Sequence, residues 1–473
     1  MEKNRILKFV SILTLLNLIN IVCSRKLIFV YEHVRHGARG PSSSYDSIFY
    51  NGKDEYNVSW ITDGELSQIG KRQHYLLGVR NRHKYKDLIN FDHYNPMEIL
   101  IHATDYNRTH QSINSELLGM FGNAKEERLN EKEKDYFMVN TKYMEKDLLG
   151  KIKDELKKID NQVNNNSLPL FNIRRFPPNR IFLVDHCTKI SQYRDEHVLP
   201  KVKEFYKEFK RDYQEAFKQF IDPSNFENYN RMKSITDHFI CDYDNNKDLT
   251  IVSEKGIDLK KFLDFSKRFY GSFIFDWFVD NFTSGLEETH LMQDLIGYME
   301  RRIKNKDKTT YKAPKMVMDC GHDTTVGPIA RYMSSAFNVS YHPFCEFACN
   351  VYYELYEESD GKYTVDYYLD DELLIDQMEF SKFKETMESK YWNDSYADEF
   401  CGKKEDTYIG ISKFLHKHSK TLLGTAIIFC VLFLISATFT FVFFRKIKSL
   451  ENKLKENQLV NKEIEGSEMP KLD

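Results

Sequence analysis

The chain has 473 residues, enough for two or three structural units and a large core. Its 68 Lys and Arg residues are nearly balanced by 71 Asp and Glu, which argues against a nucleic-acid binder, whose footprint is a clear basic excess. Positive charge that matters for function must therefore be local.

The chain begins with Lys3 and Arg5, then an apolar stretch from Ile6 to Val22, then Cys23 and Ser24. This is the pattern of a secretory signal peptide over residues 1–24, made imperfect by Lys8, Asn17 and Asn20, with cleavage expected near Ser24. An uncleaved anchor is the alternative. It is disfavoured because the first core strand begins by Leu27 and leaves almost no linker.

Leu27-Ile28-Phe29-Val30-Tyr31 is rich in β-branched and aromatic residues and predicts a buried strand. Arg35-His36-Gly37-Ala38-Arg39-Gly40-Pro41 follows it, where open α/β sheets place their ligand crevice. Two guanidinium forks suit phosphate oxygens, and Gly37 allows the tight turn and close backbone approach a small anion needs. Taken alone, this segment could equally be a solvated basic loop. Further on, Gly64-x-Leu66-Ser67-x-x-Gly70-x-x-Gln73 offers Ser67 as N-cap of a helix running toward Arg80.

A second strand, Ile99 to Ala103, leads into Thr104-Asp105-Tyr106-Asn107-Arg108-Thr109. Ile113, Leu117, Met120 and Phe121 then recur at helical spacing, so Arg108 falls near a helix N-terminus, where anions are already favoured. Residues 126–309 are dense in Lys and Glu and mainly helical in pattern, and their charge runs read as solvated faces. Within them Asp242-Tyr243-Asp244-Asn245-Asn246-Lys247-Asp248 starts like a calcium loop, but Lys247 takes the glycine position and Ser253 that of the last ligand, so it is rejected.

A third strand, Lys315 to Cys320, leads into Gly321-His322-Asp323-Thr324-Thr325 and a helix through Arg331. Antiparallel strands are expected at Asn350–Leu355 and Tyr363–Tyr367, joined at Asp360-Gly361. Three strand ends of one parallel sheet can bring Arg35, His36, Arg39, Arg108, His322 and Asp323 to a single pocket. An acid, two imidazoles and three guanidiniums suit phosphomonoester cleavage, which needs a nucleophile, cations on the phosphoryl oxygens and a proton for the departing oxygen.

Residues 402–420 look like a stalk. Residues 421–444 are an uncharged apolar run long enough, at ~1.5 Å per residue, to cross a hydrocarbon core of ~30 Å, and are read as a transmembrane helix. Arg445, Lys446 and Lys448 favour a cytosolic tail, residues 445–473, although Lys413, Lys417 and Lys420 flank the other side. The signal peptide decides for a type I topology with the body lumenal or extracellular. Ile447, Leu450 and Leu454 hint at a short amphipathic helix in the tail, which holds neither a tyrosine nor a clear acidic dileucine. Lysosome or endosome and cell surface therefore stand equal.

Six cysteines lie outside the signal and the span: Cys187, Cys241, Cys320, Cys345, Cys349 and Cys401. They suit an oxidising compartment. Cys345 and Cys349 are near enough to bridge, and Cys320 reads as a small buried hydrophobe in a core strand. A zinc site is the rival reading, unsupported by any C-x-x-C pair. Sequons at Asn57, Asn165, Asn281, Asn338 and Asn393 are glycosylation candidates. The sequon at Asn107 is expected bare, since a glycan there would block the pocket.

R-H-G-x-R-x-P at 35–41, T-D-x-x-R-T at 104–109, H-D-T-T at 322–325 and the G-x-L-S-x-x-G-x-x-Q segment resemble, in this order, the histidine acid phosphatases. The resemblance covers roughly residues 25–400 and, with the anchor, looks most like the animal prostatic and lysosomal enzymes. It implies a phosphoglycerate-mutase-like mixed α/β sheet flanked by helices. Residues 25–125 and 310–401 would form the catalytic domain, and 126–309 a helical insertion capping it. It implies disulfides Cys345–Cys349 and Cys187–Cys401, and leaves Cys241 matching a family cysteine whose partner is not found. In this reading His36 is the nucleophile, giving a phosphohistidine. Arg35, Arg39, Arg108 and His322 bind the phosphoryl oxygens, and Asp323 is the acid and then the base. No metal or cofactor is expected, since the arginines supply the charge. A homodimer is among the assemblies it allows. Rival readings are a phosphomutase of the same superfamily, a phytase, a lysophosphatidate phosphatase, and a catalytically dead receptor or adhesion ectodomain.

Overall fold

β1 (Lys26–Arg35) is buried from Ile28 to its last residue and lies inside a seven-stranded sheet. The other strands are β2 (Ile99–Ala103), β3 (Ile173–Arg175), β4 (Met316–Gly321), β5 (Asn350–Glu357), β6 (Tyr363–Leu369) and β7 (Glu372–Glu379). The computed structural model describes residues 25–42, 64–122, 146–152, 171–176, 199–218, 229–275, 281–308, 310–342, 344–392 and 446–448, with single positions or pairs between 154 and 197.

The strand order is β3-β2-β4-β1-β5-β6-β7. The first four are parallel, and β5, β6 and β7 continue the sheet antiparallel. Parallel strands covered on both faces need apolar residues at every position, which is why β1, β2 and β4 stand out in the sequence. Arg35 pairs with Gly321 and Ala103 with Cys320, so β1, β4 and β2 end level with one another. Their three following loops meet at one edge.

In chain order, the longer helices are α1 (Gln68–Lys84), α2 (Asn107–Phe121), α3 (Leu199–Asp212), α4 (Tyr229–Asp244), α5 (Leu259–Phe275), α6 (Asn281–Lys304), α7 (Asp323–Phe337) and α8 (Phe380–Glu388). α2 covers one face of the sheet, packing Ile113, Leu117 and Met120 against Val30, Val34 and Met318. It crosses α1 at Gly78 and Gly119, where a Cβ would overlap the backbone of Glu116 or of Tyr75. α6, α7 and α8 cover the other face with Leu295, Met299, Ile329, Met333 and Phe383 over Phe29, Tyr31 and Tyr353. A separate core of Val202, Phe209, Met232, Phe239, Phe262, Phe265 and Phe269 holds α3, α4 and α5 together.

The mixed sheet and its β5–β6 hairpin match the sequence expectation, with Gly361 at φ +83° in the turn. Three features depart from it. β7 adds a further antiparallel strand. β3, three residues long and too short to show a period, enters the sheet from within residues 126–309. α6, also from that stretch, belongs to the sheet's core because Leu291, Met292, Leu295, Ile296 and Met299 form one buried stripe.

Cys345 and Cys349 are disulfide-bonded with Cα atoms 5.7 Å apart, while Cys241 and Cys320 are buried free thiols. Asn338 is exposed at the C-cap of α7, and α6 starts at Asn281. Cys187, Cys401, Asn57, Asn165 and Asn393 lie outside the described residues. The chain divides into two units, Met1–Cys401 and Gly402–Asp473; of the second, Lys446–Lys448 are described, as helix. Among the described residues no helix is long and apolar enough to cross a membrane, and residues 421–444 lie outside them.

Candidate active site

The loop after β1 is gripped by α1 from below. Ser67 caps α1 by accepting from Gly70 N at 3.0 Å, as expected, and its hydroxyl also donates to the Ala38 carbonyl at 3.0 Å. Ala38 N donates to Gln73 Oε1 at 2.8 Å, and Gly37 N to Ser112 Oγ of α2 at 3.1 Å. Gly37 lies on Gly70 so closely that a Cβ on either would overlap the other's strand of backbone. The Gly64–Gln73 segment is thus a cradle for the loop at 35–41, a role its helix-cap grammar did not reveal.

His36 is buried, and its Nδ1 lies 2.9 Å from the Gly37 carbonyl. A carbonyl only accepts, so Nδ1 carries the hydrogen and Nε2 keeps its lone pair. Burial, then the positive charges of Arg35, Arg39 and Arg108 around it, hold its pKa well below the usual value. The neutral imidazole is therefore the favoured form of His36.

Arg35 is fully buried. Its guanidinium donates to the Cys345 carbonyl, pairs with Asp323 Oδ2 at 2.9 Å and lies 4.3 Å from the centre of the Phe347 ring. The disulfide loop adds Arg35 N to Cys349 O at 2.9 Å and Ala348 N to His36 O at 3.1 Å. The 345–349 bridge therefore shapes a wall of the site. Burial works to raise the Asp323 carboxyl, but Arg35, Arg39 and His322 outweigh it and hold it below its ordinary value.

β4 delivers His322 as N-cap of α7, fixed by Thr325: His322 N donates to Thr325 Oγ1 at 2.7 Å, and that hydroxyl donates to the His322 carbonyl at 2.6 Å. Across the pocket, Thr109 Oγ1 donates to the Thr104 and Tyr106 carbonyls, and Thr104 Oγ1 donates to Thr109 Oγ1 at 3.0 Å. Thr104 Oγ1 must then accept from His322 Nε2, 2.9 Å away, which leaves His322 Nδ1 to accept from Arg108 Nη2 at 3.4 Å. Burial first, then the Arg108 charge, takes the His322 pKa down to about 3. The rings of His36 and His322 meet edge to face at 5.4 Å.

Arg39 and Arg108 reach the site differently. Arg39 is buried and bidentate to Asp237 of α4, at 2.9 and 3.3 Å, with Cys241 Sγ at 3.4 Å. Burial alone would lower its pKa; the Asp237 charge more than reverses that. Among the described residues Arg108 has no such carboxylate contact and its Nε no hydrogen-bond partner, and its guanidinium lies 4.3 Å from the centre of the Tyr106 ring. Burial and the Arg39 charge lower its pKa.

All six expected residues thus converge. Sequence reasoning missed Asp237, Thr104, Phe347, His74 and Glu116. Only Thr104 carried a usable signal, sitting at the very end of β2. Asn107 is exposed at the start of α2, its amide 3.3 Å from Glu65 Oε1, while Thr109 of the same sequon is fully buried. Asp242 and Asp244 lie in the last turn of α4, and among the described residues no cluster of three His, Cys, Asp or Glu is set to hold a metal.

The sequence profile of the histidine phosphatase superfamily (branch 2) matches residues 26–370. A lysosomal acid phosphatase of Xenopus laevis is 37% identical over 100 residues, 21% of this chain and 22% of the relative. Human prostatic acid phosphatase is 32% identical over 101 residues, 21% of this chain and 25% of the relative. The chain thus spans about a quarter or less of the length of these curated relatives. Among solved structures, a Citrobacter braakii phytase superposes with a TM-score of 0.51 at 12% identity, covering 78% of this chain and 98% of that one. A Bifidobacterium longum multiple inositol polyphosphate phosphatase gives a TM-score of 0.51 at 13% identity, covering 74% and 87%. At these identities the likeness is one of fold.

Proposed function

The chain belongs to the histidine phosphatase superfamily (branch 2), and from that premise and the geometry of its site we propose that it is an acid phosphatase hydrolysing phosphate monoesters. The observation that carries this reading is His36: neutral, with Nε2 free to attack, among Arg35, Arg39, Arg108 and His322. Nε2 attacks phosphorus while the ester P–O bond breaks, and Asp323 gives its proton to the departing oxygen. Water then attacks the phosphohistidine, losing a proton to the Asp323 carboxylate as the P–N bond breaks. The arginines and His322 carry the charge that builds on the phosphoryl oxygens. Because neighbouring cations hold Asp323 low, its protonated form is scarce at neutral pH, which sets an acid optimum.

A phytase-like activity is the alternative, since the fold neighbours bear such names. A simple monoester is the reading we adopt: among the described residues Arg175 and Lys267, basic side chains beside these loops, pair with Asp105 and Glu346. The named relatives and the sequence pattern together support a lumenal or extracellular body on a single type I anchor at 421–444, in the lysosome or at the cell surface.

The full chain, solubilised in detergent, is expected to hydrolyse p-nitrophenyl phosphate near pH 5 with excess chelator present. Activity that vanished with chelator and returned with zinc or magnesium would overturn the mechanism. Asp323→Asn is expected to slow an alkyl phosphate far more than p-nitrophenyl phosphate, because only the poor leaving group depends on the proton. Equal losses would remove Asp323 as the acid.

A further inference from the structure

Beneath the catalytic loop lies a buried polar cluster that the mechanism does not use. His74 of α1 and Glu116 of α2 have no exposure to solvent. His74 Nε2 lies 3.1 Å from the Arg35 carbonyl and its Nδ1 3.0 Å from Glu116 Oε2. The carbonyl only accepts, so Nε2–H donates to it. The Nδ1···Oε2 contact is then a hydrogen bond only if it holds one proton, on either atom. The same Arg35–His36 peptide is held from its other side by His36 N donating to the Gly321 carbonyl at 2.9 Å. The plane that orients both Arg35 and the His36 ring is clamped at two points, one of which needs a proton.

We propose that His74 and Glu116 act as one positioning unit, keeping a single proton between them across the acid range and so fixing the Arg35–His36 peptide in one orientation. The proposal rests on the acid phosphatase reading for its purpose, though not for its geometry. The groups around the unit support its neutrality. Glu32 of β1 shares the Asn81 amide with Glu116, at 3.2 and 2.9 Å, and takes a hydrogen bond from Tyr352 of β5. Arg80 of α1 donates to Asn81 Oδ1 at 2.8 Å and pairs with Asp371. Tyr85 after α1 and Cys320 of β4 complete the titratable surroundings, and burial pushes both up, so they stay uncharged. Burial, then Glu116 as a neighbouring acid, likewise pushes Glu32 well up.

Burial acts oppositely on the two partners. It takes His74 from 6.5 down to about 4 and Glu116 from 4.5 up to about 7. Between pH 4.5 and 6.5 the folded pair holds one proton, on Glu116, and the unfolded pair also holds one, on histidine. Folding therefore neither takes up nor releases a proton there. Each partner alone breaks this balance in its own direction. With Glu116→Gln, a buried neutral His74 remains, and stability is lost as pH falls from 6.5 toward 4. With His74→Gln, a buried protonated Glu116 remains, and stability is lost as pH rises from 4.5 toward 7.

The test is the thermal midpoint of the full chain and both variants at half-unit steps from pH 4.5 to 6.5. Each variant is expressed as its difference from wild type, which cancels the groups neither substitution touches; Glu32, relieved of its neighbour in Glu116→Gln, is raised less there and adds to that slope in the same direction. The expected curves have opposite slopes: the Glu116→Gln deficit grows toward acid and the His74→Gln deficit toward neutrality. Catalysis is read at one pH where each protein is folded: kcat on p-nitrophenyl phosphate should fall about tenfold for both variants with KM little changed, because loss of either partner frees the Arg35–His36 peptide to turn. Constant deficits, or slopes of the same sign, would overturn the proposal, since a packing role alone predicts pH-independent offsets. If one variant does not fold, the slope of the other decides, its sign being fixed independently. A wild-type chain without phosphatase activity would remove the functional reading and leave the thermal curves to judge the brace.

Discussion

Arg39 on the floor of the site and Arg108 on its rim offer the same group to the same anion, yet the molecule treats them in opposite ways. Arg39 is buried and bound by Asp237 of α4 before any ligand arrives. Arg108 is partly buried, lies against the Tyr106 ring, and among the described residues lacks a carboxylate contact. The floor's charge has been neutralised in advance and serves position; the rim's charge awaits its counter-ion and serves binding. A charged group held by the protein and one held open for the ligand should fail in different currencies when removed.

The largest expected effect is on the floor. His36→Ala should abolish turnover and covalent labelling by phosphosubstrate while leaving the thermal midpoint close to wild type. Residual labelling at another residue would displace His36 as nucleophile. Next, Asp237→Ala should leave a buried guanidinium uncompensated and cost about 3–5 kcal/mol of stability, read as a fall in unfolding midpoint. An unchanged midpoint would erase the distinction drawn between floor and rim.

Arg108→Ala should do the reverse. Stability should hold, because burial and the Arg39 charge outweigh the Asp323 attraction on this side chain. Phosphate and vanadate binding should weaken, and kcat/KM should fall on the order of 10²–10³-fold. Loss of rate with inhibitor binding intact would sharpen the picture, confining Arg108 to the transition state.

The rim and the floor's own loop were legible in sequence because their residues are contiguous with strands: Arg35, His36, Arg108, His322 and Asp323 all fall within a few positions of a buried apolar run. The sheet was legible for the same reason, since β1 has the apolar run Leu27 to Tyr31 and β2 and β4 each carry a single charged or imidazole side chain. Asp237 was not, being one acid among many in a Lys- and Glu-dense stretch, and only the packing of α4 selects it. Phe347 was hidden because its role follows from the closed 345–349 loop rather than from any period. His74 and Glu116 sit 42 residues apart on two helices whose crossing at Gly78 and Gly119 no local pattern announces. The G-x-L-S-x-x-G-x-x-Q segment was read as a helix start, which it is, but its grip on Ala38 is tertiary.

β4 lies between β1 and β2 in the sheet, although roughly two hundred residues separate β2 from β4 along the chain. On the ribosome, β1 and β2 emerge with no strand to join them. At ~5–20 residues per second the gap lasts about 10–40 s while the intervening residues are made. Through that interval Arg35, His36 and Arg108 exist without His322 and Asp323, and the apolar edges of β1 and β2 stand unpaired in the nascent chain. The site is therefore incomplete through that interval, while two strand edges stay open until the late strand slots between them.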